Sequence, residues 1–355
     1  MSKKVVAVLF GGCSNEHEIS MLSAANVISS MSADKYFVMP VYITKDGRWL
    51  LYDGSIENIK NVQWEKFGTS VVLSPDSSHK GLLRIVGDKV KCLPVDIVFP
   101  VLHGKNGEDG TIQGLCEIAG IPYVGCGVLS SSVSMDKEFT NKIAQLAGIN
   151  QADFLSFRAY ELENIDDVCK KIRYKLGYPC FVKPANAGSS VGVSKANNKK
   201  ELETALKNAA AVDRKIVVEK AIVGREIECA VLGNEAVTAS AVGEILAAGD
   251  FYDFDAKYNN GDSKTVVPAD IPAEISNEIR ALAVEIFKAV DGAGFARVDF
   301  FLEEGTNKVF FNEINTIPGF TAISLYPILW EESGISQPEL IDRLIELGFE
   351  NNQYV

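Results

Sequence analysis

The chain reads FARVDFFL from residue 295 to residue 302 and VFFNEIN from residue 309 to residue 315, with a polar turn between them. Polar and apolar residues alternate in both stretches, which predicts two half-buried strands joined as an antiparallel hairpin. Side chains two residues apart on a strand share a face. One face of the hairpin is therefore charged, and the other is predicted to be apolar through Val298, Phe300, Leu302, Phe310 and Ile314.

The charged face of this hairpin combines Arg297, Asp299, Glu313 and Asn315. The register that pairs Asp299 with Glu313 also pairs Arg297 with Asn315. Two carboxylates directly opposite each other, about 5 Å apart, repel unless a cation lies between them. An all-oxygen ligand set of this kind suits Mg²⁺, which keeps waters or substrate phosphates in its remaining positions. The alternative is that Arg297 alone neutralises both carboxylates.

A Gly- and Ser-rich turn follows the apolar strand that ends at Lys183, where the chain reads VKPANAGSSVG over residues 182–192. Small residues allow backbone amides to approach phosphate oxygens, and the lysine adds a positive charge. The spacing differs from a Walker A loop, which needs Gly-Lys-Ser/Thr after a four-residue gap. The stretch indicates either a phosphate site of another kind or an ordinary turn.

The loop after the first apolar strand carries the next candidate, Glu16, behind the pair Gly11 and Gly12. Asn15 followed by Glu18 is a capping signature, which predicts Glu16 in the first turn of a helix at the carboxyl edge of the sheet. The helix dipole favours a carboxylate there. The alternative is a helix-end glutamate without a function.

Two more segments have an unusual composition. After the apolar strand 96–101 the chain reads HGKNGEDGTIQG over residues 103–114, and four glycines in twelve residues predict a backbone that bends tightly around something. Residues 249–262 mix aromatic and turn-forming residues. An irregular segment of this length is either an active-site lid or a surface loop.

The order of predicted elements gives the fold class. Strands and helices alternate in the first third, which favours an α/β layer with a mostly parallel sheet, and residues 45–92 form an insertion in it. The middle third reads as a small α+β domain. The last third contains an irregular stretch, a helix, the hairpin and two closing helices. No internal repeat or low-complexity segment is present.

Composition excludes several classes of function. The 355 residues are 47% hydrophobic and 23% charged, enough for two or three domains, each with a core. A net charge of −12 without a basic block argues against nucleic acid and anionic membranes as partners. No apolar run reaches the about 18 residues that would span a bilayer. Seven dispersed cysteines predict reduced, mostly buried thiols in a cytoplasmic protein.

In this order, the motifs resemble the D-alanine:D-alanine ligase family of the ATP-grasp superfamily over essentially the whole chain. Residues 103–114 and 297–319 are similar to the two signature stretches of that family. The resemblance implies an α/β and α+β protein, with an ATP-grasp fold preceded by a Rossmann-like domain. It divides the chain into an N-terminal Rossmann-like α/β domain (1–129), a central ATP-grasp subdomain (130–224) and a C-terminal ATP-grasp subdomain (225–355) with a lid loop (247–270).

The resemblance also implies an activity. Members of the family use ATP to join two D-alanines through an acyl phosphate, which supplies D-alanyl-D-alanine for peptidoglycan. The implied cofactors are ATP and two Mg²⁺ ions, for which Mn²⁺ can substitute. The implied partners are small molecules, D-alanine and ATP, and the implied assembly is a cytoplasmic homodimer.

Site residues are carried over by motif. The resemblance assigns metal binding to Asp299, Glu313 and Asn315. It assigns ATP binding to phosphate ligands Lys137 and Lys183, adenine hinge residues Glu219, Lys220, Ala221 and Ile222, ribose ligand Glu226, and lid residue Lys257. It assigns catalysis to the triad Glu16, Ser189 and Tyr258 and to the oxyanion ligands Arg297 and Gly319. It assigns substrate binding to Glu16, His103, Ser324 and Leu325.

The second substrate is predicted to be D-alanine. Relatives that accept D-serine tend to carry arginine where Leu325 stands, and an apolar side chain offers a hydroxyl no partner. Three alternatives stay open at this point: a D-alanine:D-serine ligase of the same mechanism, a nucleotide-binding protein that has lost catalysis, and a dinucleotide-dependent oxidoreductase. The last is the weakest, because no Gly-x-Gly-x-x-Gly follows the first strand.

Overall fold

The computed structural model describes residues 2–54, 59, 68–188, 191–246 and 264–352. Most of the predicted lid, together with Ser189, Lys257 and Tyr258, lies outside these residues. Among the described residues, no helix combines the length and the hydropathy needed to traverse a bilayer. All seven cysteines carry free thiols and five of them are buried, as the sequence predicted.

The first part of the chain forms a seven-stranded sheet in the order β6-β5-β4-β3-β2-β1-β7. Its strands are β1 (Lys4–Gly11), β2 (Tyr36–Ile43), β3 (Trp49–Tyr52), β4 (Gly68–Leu73), β5 (Gly81–Val86), β6 (Lys89–Pro94) and β7 (Ile97–Val101). Only β1 pairs in parallel, with β2 and β7, and the four other pairings are antiparallel. The prediction of a mostly parallel sheet is therefore wrong, because the insertion extends the sheet as an antiparallel meander.

The turn after β1 requires glycine. Gly11 has a φ of +89°, and a Cβ there would lie 2.3 Å from the Ile43 carbonyl oxygen. Helix α1 (His17–Ser30) then starts one residue after Glu16, which is its N-cap. The predicted Asn15–Glu18 capping pair is wrong, because the Ser14 hydroxyl accepts from the Glu16 amide instead (3.2 Å).

Three helices lead from this sheet into the middle of the chain: α2 (Thr111–Ala119), α3 (Val128–Met135) and α4 (Lys137–Leu146). The middle part forms a four-stranded sheet in the order β10-β9-β11-β8. Its elements are β8 (Phe154–Arg158), a 3₁₀ helix (Ala159–Asn164), α5 (Ile165–Lys175), β9 (Cys180–Pro184), β10 (Ser194–Ala196), α6 (Lys199–Val212) and β11 (Lys215–Lys220). The apolar faces of α5 and α6 pack on this sheet and form its core.

The third sheet is five-stranded and antiparallel, in the order β14-β13-β12-β15-β16. Its strands are β12 (Gly224–Leu232), β13 (Thr238–Leu246), β14 (Lys264–Val266), β15 (Phe295–Glu303) and β16 (Val309–Asn315), and α7 (Ala273–Ala289) covers its apolar face. The predicted register is confirmed, with Asp299 opposite Glu313 and Arg297 opposite Asn315.

One predicted core residue of this hairpin is wrong. The register shifts beyond Asp299, so that Phe300 pairs with Phe311 and leaves Asn312 as an extra residue. A bulge of this kind moves all residues beyond it to the other face. Phe311 is consequently buried at 2% exposure, whereas Phe310 is only partly buried.

Two closing helices, α8 (Leu325–Glu332) and α9 (Gln337–Asn351), return to the beginning of the chain. Leu340, Leu344 and Ile345 belong to the same buried cluster as Val6, Val8 and other residues of the first sheet. The first and last segments of the sequence therefore share one core, and the chain between them forms the other two sheets.

Candidate active site

A cleft opens where the three sheets meet. Of the residues assigned from sequence, nine line it: Glu16, His103, Lys137, Arg297, Glu313, Asn315, Gly319, Ser324 and Leu325. Seven assigned residues are described but do not line the cleft: Asp299, Lys183, Glu219, Lys220, Ala221, Ile222 and Glu226. Three more, Ser189, Lys257 and Tyr258, lie outside the described residues. The structure thus gathers residues from the N-terminal loops, α4 and the hairpin into one cavity.

A row of three carboxylates crosses the third sheet. Glu228 on β12 lies opposite Asp299 on β15, and Asp299 lies opposite Glu313 on β16. Carboxylate oxygens of Glu226, Glu228 and Asp299 all lie within 4.8 Å of one another. Sequence analysis missed Glu228, although the alternation of Glu226 and Glu228 on one strand face was a signal for it.

Arg297 is embedded in this row. Its Nε and Nη2 donate to the two Asp299 carboxylate oxygens, both at 2.8 Å, and Nε lies 2.9 Å from Glu228 Oε2. Burial alone would lower the pKa of the Arg297 guanidinium, but the charges of Asp299 and Glu228 outweigh it and raise that pKa well above its ordinary value. Arg297 is charged at every pH at which the protein is folded.

The row places three carboxylates, those of Glu228, Asp299 and Glu313, beside one guanidinium, and the charge of Glu313 also raises the pKa of the Lys183 ammonium. Asn315 donates its Nδ2 to Asp299 Oδ2 (3.0 Å), which leaves its amide oxygen as a further neutral ligand. An oxygen-only set of this kind suits a hard divalent cation.

Two lysines lie near the same cavity, Lys183 on β9 of the middle sheet and Lys137 at the start of α4, where it lines the cleft. Lys183 Nζ lies 2.6 Å from Glu219 Oε2, and Asn141 Nδ2 donates to the other Glu219 oxygen at 3.0 Å. Burial lowers the pKa of Lys183, but the Glu219 charge more than compensates, and the net pKa is raised. Lys137 Nζ donates to the Ala187 carbonyl at 2.8 Å. The Lys183 ammonium is therefore charged, and both lysines stand beside the Gly- and Ser-rich turn.

The segment predicted to bind adenine begins at Glu219, the ion-pair partner of Lys183. The Lys220 amide donates to Asp153 O (2.9 Å) and the Ala221 amide donates to Pro179 O (3.1 Å). These two hydrogen bonds hold the backbone at the end of β11 in place, directly before Ile222.

His103 is held on both sides by the protein. Its Nδ1 lies 3.0 Å from the Ile317 carbonyl oxygen, which can only accept, so Nδ1 carries the proton. Nε2 then accepts from Ser23 Oγ at 3.2 Å. Burial lowers the pKa of His103, although the Glu16 charge opposes this. His103 is therefore neutral, and in this arrangement it orients the Ile317 loop rather than offering a free ring nitrogen to a substrate.

Glu108 is a second residue of the cleft that sequence analysis did not assign. It accepts from the Gly104 amide (2.7 Å) and the Ile317 amide (3.2 Å). Burial, reinforced by the nearby Glu16 charge, raises the pKa of Glu108 to about 8. The only sequence signal was its place in the glycine-rich stretch 103–114.

Glu16 occupies a slot between two glycines. A Cβ on Gly104 or on Gly188 would lie 2.7 Å from Glu16 Oε2. Gly104 belongs to the N-terminal domain loop and Gly188 to the turn after β9, so this carboxylate closes the contact between two parts of the chain. The glycines that sequence analysis found unusual are needed for this approach.

The far end of the cleft is formed by the segment before α8. Ser324 Oγ accepts from the Thr321 amide at 2.9 Å and lies 2.8 Å from Thr321 Oγ1. A Cβ on Gly319 would lie 2.8 Å from the same Ser324 oxygen. Leu325, at 6% exposure, adds an apolar wall.

Two family models match this chain, one over its first part and one over the rest. The family model "D-ala D-ala ligase N-terminus" matches residues 5–126, and "D-ala D-ala ligase C-terminus" matches residues 143–346. A D-alanine--D-alanine ligase of Acetivibrio thermocellus is 53% identical over 98% of this chain and 96% of its own length. One of Caldicellulosiruptor bescii is 51% identical over 99% of this chain and 97% of its own length.

Solved structures agree. The VanG D-Ala:D-Ser ligase from Enterococcus faecalis superposes with a TM-score of 0.89 at 42% identity, covering 98% of this chain and all of that one. The D-alanine-D-alanine ligase from Coxiella burnetii gives 0.84 at 36% identity, covering 100% of this chain and 96% of that one. The fold and the cleft define an ATP-grasp enzyme, an ATP-dependent ligase that uses a divalent metal. The chain belongs to the D-ala D-ala ligase family.

Proposed function

We propose that this protein joins two D-alanines with ATP to give D-alanyl-D-alanine for peptidoglycan, with ADP and phosphate as the other products. The observation that carries this proposal is the convergence, in one cleft, of the carboxylate row, Arg297 and the Glu16 slot. Phosphoryl transfer needs positioning and charge neutralisation, and these residues supply both.

ATP is held by its phosphates and its base. Lys137 and Lys183 contact phosphate oxygens, the segment Glu219–Ile222 receives adenine, and Glu226 binds the ribose. Asp299, Glu313 and Asn315 hold two Mg²⁺ ions, or Mn²⁺ in their place. When bound, these cations supply the positive charge that offsets the phosphates and the carboxylate row.

In the first step, the first D-alanine offers its carboxylate to the γ-phosphate, and ADP leaves with formation of an acyl phosphate. Glu16 pairs with the ammonium of this D-alanine and so fixes the attacking carboxylate. We propose that Ser189 and Tyr258 complete the triad with Glu16, and that Lys257 reaches the γ-phosphate from the lid formed by residues 247–270. The lid excludes water, which would otherwise hydrolyse the acyl phosphate.

In the second step, the amine of the second D-alanine attacks the acyl carbonyl, and phosphate leaves as the peptide bond forms. The Arg297 guanidinium and the Gly319 amide stabilise the oxyanion of the tetrahedral intermediate. His103 supports this step by holding the Ile317 loop, from which Gly319 follows.

The second D-alanine is selected at the far end of the cleft. Ser324 stands near its carboxylate and Leu325 beside its methyl group. The alternative acceptor is D-serine, which the resemblance to the VanG D-Ala:D-Ser ligase favours. A buried Leu325 gives the D-serine hydroxyl no hydrogen-bond partner, and an unpaired buried hydroxyl costs about 1–3 kcal/mol.

The remaining proposals concern organisation. We propose a Rossmann-like domain over residues 1–129 and two ATP-grasp subdomains over residues 130–224 and 225–355. We propose that the protein acts in the cytoplasm as a homodimer. The acidic net charge of −12 supports small molecules, and not nucleic acid or membrane, as its partners.

The test is ATP turnover with D-alanine, D-serine, D-lactate and L-alanine, singly and in pairs, with products identified by mass spectrometry. Dipeptide from D-alanine alone is expected, and Glu313→Ala should reduce it by about a thousandfold or more. If D-alanyl-D-serine predominates when both amino acids are present, the second substrate is D-serine and not D-alanine. If the protein binds nucleotide but turns over ATP with none of these substrates, it is a nucleotide-binding protein that has lost catalysis.

A further inference from the structure

Glu228 is a buried carboxylate without a part in the steps above. Its side chain is 3% exposed, lines the cleft, and lies directly opposite Asp299 in the sheet. A charged group at this depth is costly unless a partner of opposite charge compensates for its lost hydration. Its ion-pair partner is Arg297, with 2.9 Å between Glu228 Oε2 and the guanidinium Nε.

Arg297 is shared between two carboxylates. Its Nε donates to Asp299 Oδ1 and its Nη2 donates to Asp299 Oδ2, both at 2.8 Å. Glu228 Oε2 lies 2.9 Å from the same Nε as an ion pair without a hydrogen bond. Bidentate pairing of this kind engages both oxygens of Asp299. A divalent cation at Asp299 needs one or both of the same oxygens, so the cation and Arg297 compete for one carboxylate.

We propose that Glu228 is the positioning residue that retains Arg297 when Asp299 binds its divalent cation, so that the guanidinium passes from two carboxylates to one without leaving the cleft. This inference rests on the proposed roles of Asp299 and Arg297. It explains why a third carboxylate is placed in the row: Glu228 lies on the other side of Asp299 from Glu313, within ion-pair distance of the Arg297 Nε.

Two consequences follow for a protein without the Glu228 charge. Arg297 would lose its ion pair with Glu228 and keep its two hydrogen bonds to Asp299, so it would hold Asp299 more tightly against the cation. Once the cation did bind, the guanidinium would lose its fixed direction at the reacting carbonyl. The second step would then slow relative to the first, and acyl phosphate that no amine captured would react with water to give D-alanine and phosphate.

The test uses Glu228→Gln, which keeps the shape of the side chain and removes its charge. Mn²⁺ binding is titrated by electron paramagnetic resonance in the presence of ADP, and phosphate release is measured against dipeptide formed. We expect about tenfold weaker Mn²⁺ binding, and a ratio of phosphate to dipeptide that rises at least twofold above the unmodified protein. Glu228→Asp keeps the charge and should change both quantities in the same direction by less, which covers the case in which the glutamine variant folds poorly.

Glu244 provides the matched control. It is a buried glutamate of the same sheet, and it pairs with Arg225 through two contacts of 2.6 Å. Glu244→Gln removes a comparable Glu–Arg pair whose residues do not line the cleft. It should lower the melting temperature to a similar extent while leaving Mn²⁺ affinity and the phosphate-to-dipeptide ratio unchanged.

Three results would overturn the inference. Unchanged Mn²⁺ affinity and unchanged ratio in Glu228→Gln would remove any role for Glu228 in holding Arg297. Loss of Mn²⁺ binding as complete as that of Asp299→Asn would make Glu228 a metal ligand instead. Full Mn²⁺ affinity in Asp299→Asn would refute the proposed metal site itself, so that failure of the proposed function is distinguished from failure at Glu228.

Discussion

Gly104 illustrates how one missing side chain makes room for the Glu16 carboxylate. Its φ is +68°, and a Cβ would lie 2.7 Å from Glu16 Oε2. We expect Gly104→Ala to lose about 1 kcal/mol through backbone strain. Because it also displaces the Glu16 carboxylate, it should raise the KM for the first D-alanine about tenfold and leave the KM for ATP unchanged.

Gly177 separates these two effects. It has a similar φ of +73°, but nothing lies within 4 Å of its Cβ position. Gly177→Ala should therefore show the loss of stability, measured by urea unfolding, without the change in KM. An equal rise in KM for both variants would assign the effect to backbone strain and not to Glu16.

Glu108 gives a pH dependence with a definite sign. Its pKa is raised to about 8 by burial and by the charge of Glu16. The folded protein then keeps a proton on Glu108 at pH values where the unfolded chain has released it. Stability from this group is complete below the unfolded pKa of about 4.3 and declines as pH rises toward about 8.

Glu108→Gln, which cannot titrate, should flatten the decline in the free energy of unfolding between pH 5 and pH 8. The slope is the quantity to compare, since the amide changes the hydrogen bonds from Gly104 and Ile317 at every pH. Parallel pH profiles for the two proteins would place the folded-state pKa of Glu108 below this interval, near its unfolded value.

At the scale of elements, helix α4 is held in place at its first turn. Asp136 caps it by accepting from the Glu138 and Phe139 amides, and the buried Lys215 ammonium bonds Asp136 and lies 3.1 Å from Glu138. Burial alone would raise the pKa of Glu138, but hydrogen bonds from its neighbours outweigh this effect and lower that pKa to about 2. Lys137 is the first residue of this helix, so the cap sets the direction of its ammonium group.

Lys215→Met should therefore affect ATP more than D-alanine. Removing one partner of a buried ion cluster costs about 3 kcal/mol, and a loosened α4 should raise the KM for ATP several-fold without changing the KM for D-alanine. Lys142→Met is the control, because half-exposed Lys142 bonds the same Glu138 and its loss should cost less than about 1 kcal/mol. Equal changes in both KM values would mean that Lys215 supports the fold in general.

The hairpin shows what sequence can predict and where it stops. The alternation of polar and apolar residues predicted which side chains share a face. The assumption of an antiparallel hairpin then predicted that Asp299 pairs with Glu313, as the structure shows. The bulge at Asn312 has no local signature, so Phe310 was assigned to the core in place of Phe311. Glu228 was missed because its pairing with Asp299 joins strands that are distant in sequence, and no local period reports such a contact.

The insertion between β2 and β7 was predicted, but the way its strands extend the sheet was not, for a related reason. Residues 68–94 carry ordinary turn signals and form three strands that pair only with neighbours, extending the sheet away from the cleft. Sequence patterns detect such strands but do not say that they join an existing sheet. The parallel core of β1, β2 and β7, which carries the Glu16 and His103 loops, followed from the alternation of strands and helices.

At the scale of the whole molecule, the cleft depends on contacts between the beginning and the end of the chain. Asn26 Nδ2 donates to the Phe320 carbonyl at 2.7 Å, and the Phe320 amide donates to Ser23 Oγ at 3.1 Å. Together with the bond between His103 and Ile317, these contacts tie the segment after β16 to helix α1. Gly319, whose amide we assign to the oxyanion, lies inside this tied segment.

Ser23→Ala tests whether that tie serves catalysis. The substitution leaves the buried Phe320 amide without its acceptor and His103 Nε2 without its donor, which should cost about 1–3 kcal/mol of stability. Because Gly319 precedes Phe320, the oxyanion donor moves, and kcat for dipeptide formation should fall about tenfold while the KM for ATP stays constant. Ser29→Ala is the control on the same helix, since its hydroxyl bonds only the Asn26 carbonyl at an exposed position. A Ser23→Ala protein that is less stable but retains full kcat would show that the first and last parts of the chain cooperate in folding alone.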